Sequence, residues 1–146
     1  MRPGFVAVVL YNGGRLSSYS SAKLSGLLLL AALLRANAIP AGFCYQRLSI
    51  DDQGAPYSLH GFNAVYLPEV GWYRIDPRGN RVGINAQFTP PQEQLAYSIR
   101  LPGEVDLAGI FAEPLTLVIA ALQRHTTWEA LLANLPDMSP SLSQCR

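Results

Sequence analysis

His60-Gly61-Phe62-Asn63-Ala64-Val65-Tyr66-Leu67, then Pro68-Glu69-Val70, then Gly71-Trp72-Tyr73-Arg74-Ile75-Asp76 reads as a β-hairpin. Two runs rich in β-branched and aromatic residues flank a short break. Pairing about Glu69 sets Leu67 opposite Gly71 and Phe62 opposite Asp76, and makes His60 the diagonal neighbour of Asp76 on one face. Such neighbours lie roughly 7 to 8 Å apart at the backbone, within reach of an imidazole and a carboxylate. A carboxylate there holds one ring nitrogen protonated and leaves the other to act as a base. The plainer alternative is a strand-end His beside a loop and an Asp in the turn before Pro77.

Upstream of the hairpin, Leu and Ala residues from about Ala22 to Asn37 fall on every side of a helical wheel, which predicts a helix covered all round by protein. Pro40 and the extended preference of Ile39 end it. Phe43 to Ile50 is β-rich in part, Asp51-Asp52-Gln53-Gly54 is turn-like, and a strand from about Tyr57 leads into the hairpin. One helix followed by at least three strands on short turns predicts an α+β fold, a buried helix packed against an antiparallel sheet. Before the helix lie a β-like piece at Phe5 to Tyr11, a turn at Asn12-Gly13-Gly14 and a Ser-rich stretch. After Asp76, Pro77-Arg78-Gly79-Asn80 suggests turn chemistry, and an extended segment ends at Pro90-Pro91. Additional C-terminal helices fit Leu115 to Gln123 and a segment from Thr126, where Thr126 and Glu129 have the spacing of a capping box. Trp128, Leu131, Leu132 and Leu135 would form the buried stripe of that last helix. The expected organisation is an atypical segment 1–21, a domain 22–135 and a loose tail 136–146.

Of the 146 residues, 49% are hydrophobic and 14% charged, which suits one domain with a real core and argues against disorder throughout. A net charge of +1 and the lack of a basic cluster interleaved with aromatic residues recommend no nucleic-acid partner. Two cysteines, Cys44 and Cys145, are too few for a secreted disulfide scaffold, so a cytoplasmic setting is expected. Leu27 to Leu34 is too short to span a bilayer, and Arg35 interrupts the passage from that run to the signal-peptide-like Ala36-Asn37-Ala38. With no CxxC, no HExxH and only His60 and His125, neither a metal nor another cofactor is expected.

Leu29-Leu30-Ala31-Ala32-Leu33-Leu34-Arg35-Ala36, Ile39-Pro40-Ala41, the His60 strand and the Gly71-to-Asp76 strand, in this order, resemble the core of the transglutaminase-like superfamily. The resemblance spans about Leu27 to Asn80. It implies a papain-like Cys/His/Asp arrangement acting on peptide or protein amide bonds, in which His60 is the general base and acid and Asp76 orients it; the short apolar run Leu27 to Leu34 separately argues for no membrane partner. The nucleophile would be a Cys at the start of the preceding helix, where the helix dipole and a nearby imidazolium both favour a thiolate. The thiolate attacks an amide carbonyl, and water or an amine then takes the acyl group.

This chain departs from that pattern at the nucleophile. The corresponding position is Lys23, whose charge at a helix start opposes the dipole, and no Cys precedes Cys44. Ser21 and Ser25 lie nearby, but a hydroxyl needs more activation than a thiol. Cys44, between Phe43 and Tyr45, reads as a small buried hydrophobe, and Cys145 lies in the tail. A start altered by truncation or a shifted reading frame would account for the missing thiol. Three readings follow: a cysteine hydrolase or acyltransferase with impaired or absent chemistry, a non-catalytic peptide- or protein-binding descendant, and an enzyme with a relocated nucleophile. Trp72 and Tyr73 are expected to pack on opposite faces of their strand, Asn63 to lie opposite His60 in a structural or solvent-facing role, and His125 to meet a helix C-terminus beside Arg124.

Overall fold

The computed structural model describes residues 16–78, 80 and 82–139. Helix α1 (Leu16–Ala36) is followed by β1 (Ala41–Ser49), β2 (Tyr57–Leu67) and β3 (Gly71–Ile75). Next come a short hairpin, β4 (Gln87–Thr89) and β5 (Gln92–Gln94), the two-residue strand β6 (Val105–Asp106), and helices α2 (Thr116–Arg124) and α3 (Trp128–Leu132). The main sheet has the order β3-β2-β1-β6 and every pairing in it is antiparallel. The fold is α+β, as the order of elements predicts.

The hairpin register is the expected one. Leu67 pairs with Gly71, Val65 with Tyr73 and Asn63 with Ile75, leaving Pro68-Glu69-Val70 as the loop. Gly71 closes the loop at φ +87, a left-handed conformation that glycine adopts without a Cβ clash.

Side chains alternate across the sheet, so its two faces meet different neighbours. Phe43, Tyr45, Leu59 and Leu107 form the main core with Leu27 and Ala31 of α1 and Val118 of α2. Cys44, Phe62 and Ala64 form a second cluster on the other face, against Leu95. Gly61 faces α1, where a Cβ would stand 3.1 Å from Leu27 Cδ1. Asn63 is on that face too, its Nδ2 donating to the carbonyls of Leu27 at 3.1 Å and Gly42 at 3.2 Å. Its role is therefore structural and buried rather than solvent-facing.

Helix α1 differs from its expectation in two ways. It begins at Leu16 rather than near Ala22, because the serine-rich stretch continues the helix; serine costs only a fraction of a kcal/mol there, roughly 0.5. Lys23 consequently lies two turns inside α1 and not at its start. The helix is also packed on one side rather than all round: Leu27 and Ala31 are buried, while Leu29 and Leu33 are 58% and 54% exposed. An apolar residue on every face of a wheel does not reveal which face has a partner. At its end, Ala38 N–H donates to Arg35 O and Ile39 N–H to Leu34 O, with Ala38 at φ 59, a Schellman closure completed before Pro40. Arg35 then ties the helix to the sheet, its guanidinium donating to the carbonyls of Ala41 and Ala112.

Further corrections fall in the C-terminal third. The N-cap of α3 is Thr127, whose Oγ1 accepts from Ala130 N–H, so the Thr126–Glu129 capping box does not form. Thr127 holds the extended backbone that a cap requires. Residues 136–139 are not a loose tail. Pro136 O accepts from Leu59 N–H and Ser58 Oγ, and Asp137 accepts two hydrogen bonds from Arg47. The β-like piece at Phe5 to Tyr11, the turn at 12–14 and Cys145 lie outside the described residues. Among the described residues no helix is long and apolar enough to cross a membrane.

Candidate functional site

Strand β2 carries His60, Phe62 and Ala64 on the sheet face away from α1, and β1 carries Cys44 and Gln46 on the same face, directly across from Phe62 and His60. Continuing the β2–β3 register one step past Asn63–Ile75 brings Asp76 to the level of Phe62. His60 Nε2 meets Asp76 Oδ2 at 2.8 Å. The diagonal pairing read from the sequence is thus present as a direct hydrogen bond. Asp76 Oδ1 accepts from Arg78 N–H at 3.0 Å, the turn that Pro77 introduces, so both carboxylate oxygens are held.

The pair is enclosed. His60 is fully buried and Asp76 nearly so. The imidazole stacks on Phe62, with centroids 5.6 Å apart, and makes a T-shaped contact with the Tyr97 ring, with centroids 5.1 Å apart. Tyr97 belongs to an irregular strap, residues 95–100, that crosses this face. Its carbonyl accepts from Gln46 Nε2 at 3.3 Å and its hydroxyl from Arg78 Nη1 at 3.0 Å. The strap is anchored on one side by the β4–β5 hairpin, through Tyr73 OH to Gln92 O and Arg74 to Glu93. On the other side Glu104 accepts from the backbone N–H groups of Arg100 and Leu101. Sequence reasoning missed Gln46, Tyr97 and this strap, because residues 95–100 carry no periodicity that would mark them as part of a site.

Electrostatics follow from that enclosure. Burial pushes the His60 pKa down from its ordinary 6.5, against the pull of the Asp76 charge. The imidazole is neutral near pH 7, with its proton on Nε2 toward the carboxylate and Nδ1 left as an acceptor. Burial works against the Asp76 charge as well, but His60 and the Arg78 N–H outweigh it and hold the carboxyl below its ordinary range. Such a contact can orient a base: the Asp76 carboxylate favours the Nε2–H tautomer, which leaves Nδ1 as the free position.

The other sequence candidates do not join it. Cys44 is 4% exposed, its Sγ lies 3.9 Å from Gly109 O, and burial pushes its thiol up to about 11. It behaves as the small hydrophobe expected of it and is not a thiolate. The part of α1 that packs on the sheet, at Leu27 and Ala31, covers the opposite face from His60, so the pair does not face that helix there. The reason is strand alternation: Gly61 and Asn63 point to α1, and His60 and Phe62 therefore point away. Tyr73 is buried while Trp72, on its other face, is 47% exposed and edge-on to Tyr66. His125 caps α2, its N–H donating to Ala121 O, away from the pair. Among the described residues no group of three His, Cys, Asp or Glu side chains could hold a metal.

Residues 27–77 fit the model of the transglutaminase-like superfamily, a span that begins inside α1, downstream of Lys23, and ends just after Asp76. No curated protein and no solved structure matches the chain. The segment from residue 27 to residue 77, with its helix, its three strands and its His60–Asp76 pair, is a transglutaminase-like core.

Proposed function

We propose that this domain is of the cysteine protease/acyltransferase type, that it retains the base and the orienting acid of an amide-cleaving triad in His60 and Asp76, and that it lacks the nucleophile. The 2.8 Å contact between His60 Nε2 and Asp76 Oδ2 carries the reading, because it leaves Nδ1 as the basic position to which a thiol would present its proton. The thiol itself is missing: no Cys precedes Cys44 in the sequence, and Cys44 is buried and protonated. With no nucleophile the chain forms no acyl-enzyme. Full burial of His60 under Tyr97 acts in the same direction, since a substrate carbonyl has no open path to the ring.

The test is turnover of glutamine-containing and isopeptide-linked peptides, with and without an amine acceptor, together with iodoacetamide labelling at neutral pH. The expected result is no release of ammonia or amine, and thiol labelling that is unchanged in His60→Ala. Turnover abolished by His60→Ala would overturn the proposal and point to a relocated nucleophile. Peptide binding without turnover is the behaviour expected of a non-catalytic descendant.

A further inference from the structure

Three buried side-chain polar atoms stand without a hydrogen-bond partner among the described residues: His60 Nδ1, Gln46 Oε1 and Asn63 Oδ1. Asn63 faces α1, but the other two share the opposite sheet face and sit directly across the β1–β2 ladder from each other. Directly opposed residues have Cβ atoms roughly 4.5 to 5.5 Å apart, so the two side chains extend over the same ground. Gln46 is 2% exposed and His60 0%, which keeps bulk solvent from serving either atom.

The chemistry of the two atoms is the same. Nε2–H of His60 is committed to Asp76, so Nδ1 is a lone-pair acceptor. Gln46 Nε2 is committed to Tyr97 O, so its Oε1 is an acceptor as well. Two acceptors cannot satisfy each other, and leaving a buried acceptor bare costs about 1 to 3 kcal/mol. One molecule with two donor hydrogens on a single atom satisfies both.

We infer that His60 Nδ1 and Gln46 Oε1 form a binding site for one enclosed water molecule, which donates one hydrogen bond to each, with Gln46 acting as a positioning residue for the imidazole. The water locks His60 in the tautomer that keeps Nε2–H on Asp76 and Nδ1 unprotonated. Tyr97 closes the site from above through its T-shaped ring contact with His60 and its carbonyl on Gln46. Any O–H or S–H group that entered the site would take the water's place and make the same hydrogen bond to Nδ1. The inference rests on these four side chains and stands whether or not the domain ever turns over an amide.

The experiment is water-selective NOE and ROE spectroscopy on isotopically labelled protein, combined with long-range proton–nitrogen spectra of the histidine rings. The expected result is a long-lived water cross-peak to ring protons of His60 or Phe62, with Nδ1 of His60 in the unprotonated, hydrogen-bonded range. In Gln46→Leu the cross-peak disappears and Nδ1 moves toward a free-acceptor shift while Nε2 stays protonated. Absence of the cross-peak in the native protein overturns the inference, as does a proton on Nδ1 donated directly to Gln46. Persistence of the cross-peak in Gln46→Leu shows that Gln46 is not its partner and also overturns it. If that variant does not fold, the native spectra decide alone.

Discussion

His60 and Asp76 are where single atoms matter most, because both are buried and each is the other's partner. Asp76→Ala leaves Nε2–H without an acceptor in a dry site and should cost about 1 to 3 kcal/mol in urea unfolding, whereas Asp76→Asn keeps an acceptor and should cost less. The pair also sets a pH dependence. As pH falls through about 6.5, His60 of the unfolded chain takes up a proton that the folded chain refuses, so the unfolded state binds more protons and stability drops. Asp76 acts in the same direction further down: its stabilisation is present above the ordinary value of 3.8 and is lost as pH falls through its lower folded value. The urea midpoint should therefore fall between about pH 7 and about pH 5, and His60→Gln should flatten that fall. A midpoint that rises on acidification would contradict the buried neutral imidazole. The pairing itself was legible in the sequence because a three-residue loop fixes register and register fixes the diagonal; which ring nitrogen meets the acid was not, since that depends on a side-chain rotation no spacing encodes.

Helix α1 illustrates what pattern leaves undetermined in an element. Leu27, Leu28, Leu29, Leu30, Leu33 and Leu34 look alike in sequence, yet only the Leu27–Ala31 side meets the sheet. Leu29→Lys should change stability by less than about 0.5 kcal/mol, while Ala31→Lys, placed against Phe43 and Tyr45, should be strongly destabilising; equal effects would contradict one-sided packing. The helix end offers a second check. Ala38 occupies the left-handed position of a Schellman closure at φ 59, where a Cβ is disfavoured by roughly 1 to 2 kcal/mol. Ala38→Gly should raise the thermal midpoint, after offset by the greater freedom glycine has in the unfolded chain, by an amount worth about 0.5 to 1 kcal/mol. The strap at residues 95–100 is the element that shuts the His60 site. Tyr97→Ala should raise the rate of His60 carbethoxylation by diethylpyrocarbonate several-fold over the native protein, with partly exposed His125 as the internal reference. An unchanged rate would mean that something other than Tyr97 encloses the ring.

Across the whole molecule, the core of helix plus three strands is the part that sequence alone conveys. Local rules govern it: a three-residue loop, alternation along Tyr57–Leu67 and a proline after the helix. The rest depends on contacts between distant residues. Strand β6 is two residues long and is defined by pairing with Gln46 and Arg47, and the docking of residues 136–139 uses the Pro136 carbonyl, the Arg47–Asp137 pair and Met138 against the main core. Composition carries no trace of either. These distant segments also decide the setting of the site, since strap and hairpin seal the face that α1 leaves uncovered. The site hinges on His60 being a buried, neutral ring held through Nε2 by Asp76. The most direct test is an NMR titration of the two histidine rings of the native protein: His60 should keep its proton on Nε2 and titrate below 6.5, whereas a His60 that titrates near 6.5 with mixed tautomers, as a solvent-exposed ring does, would contradict it.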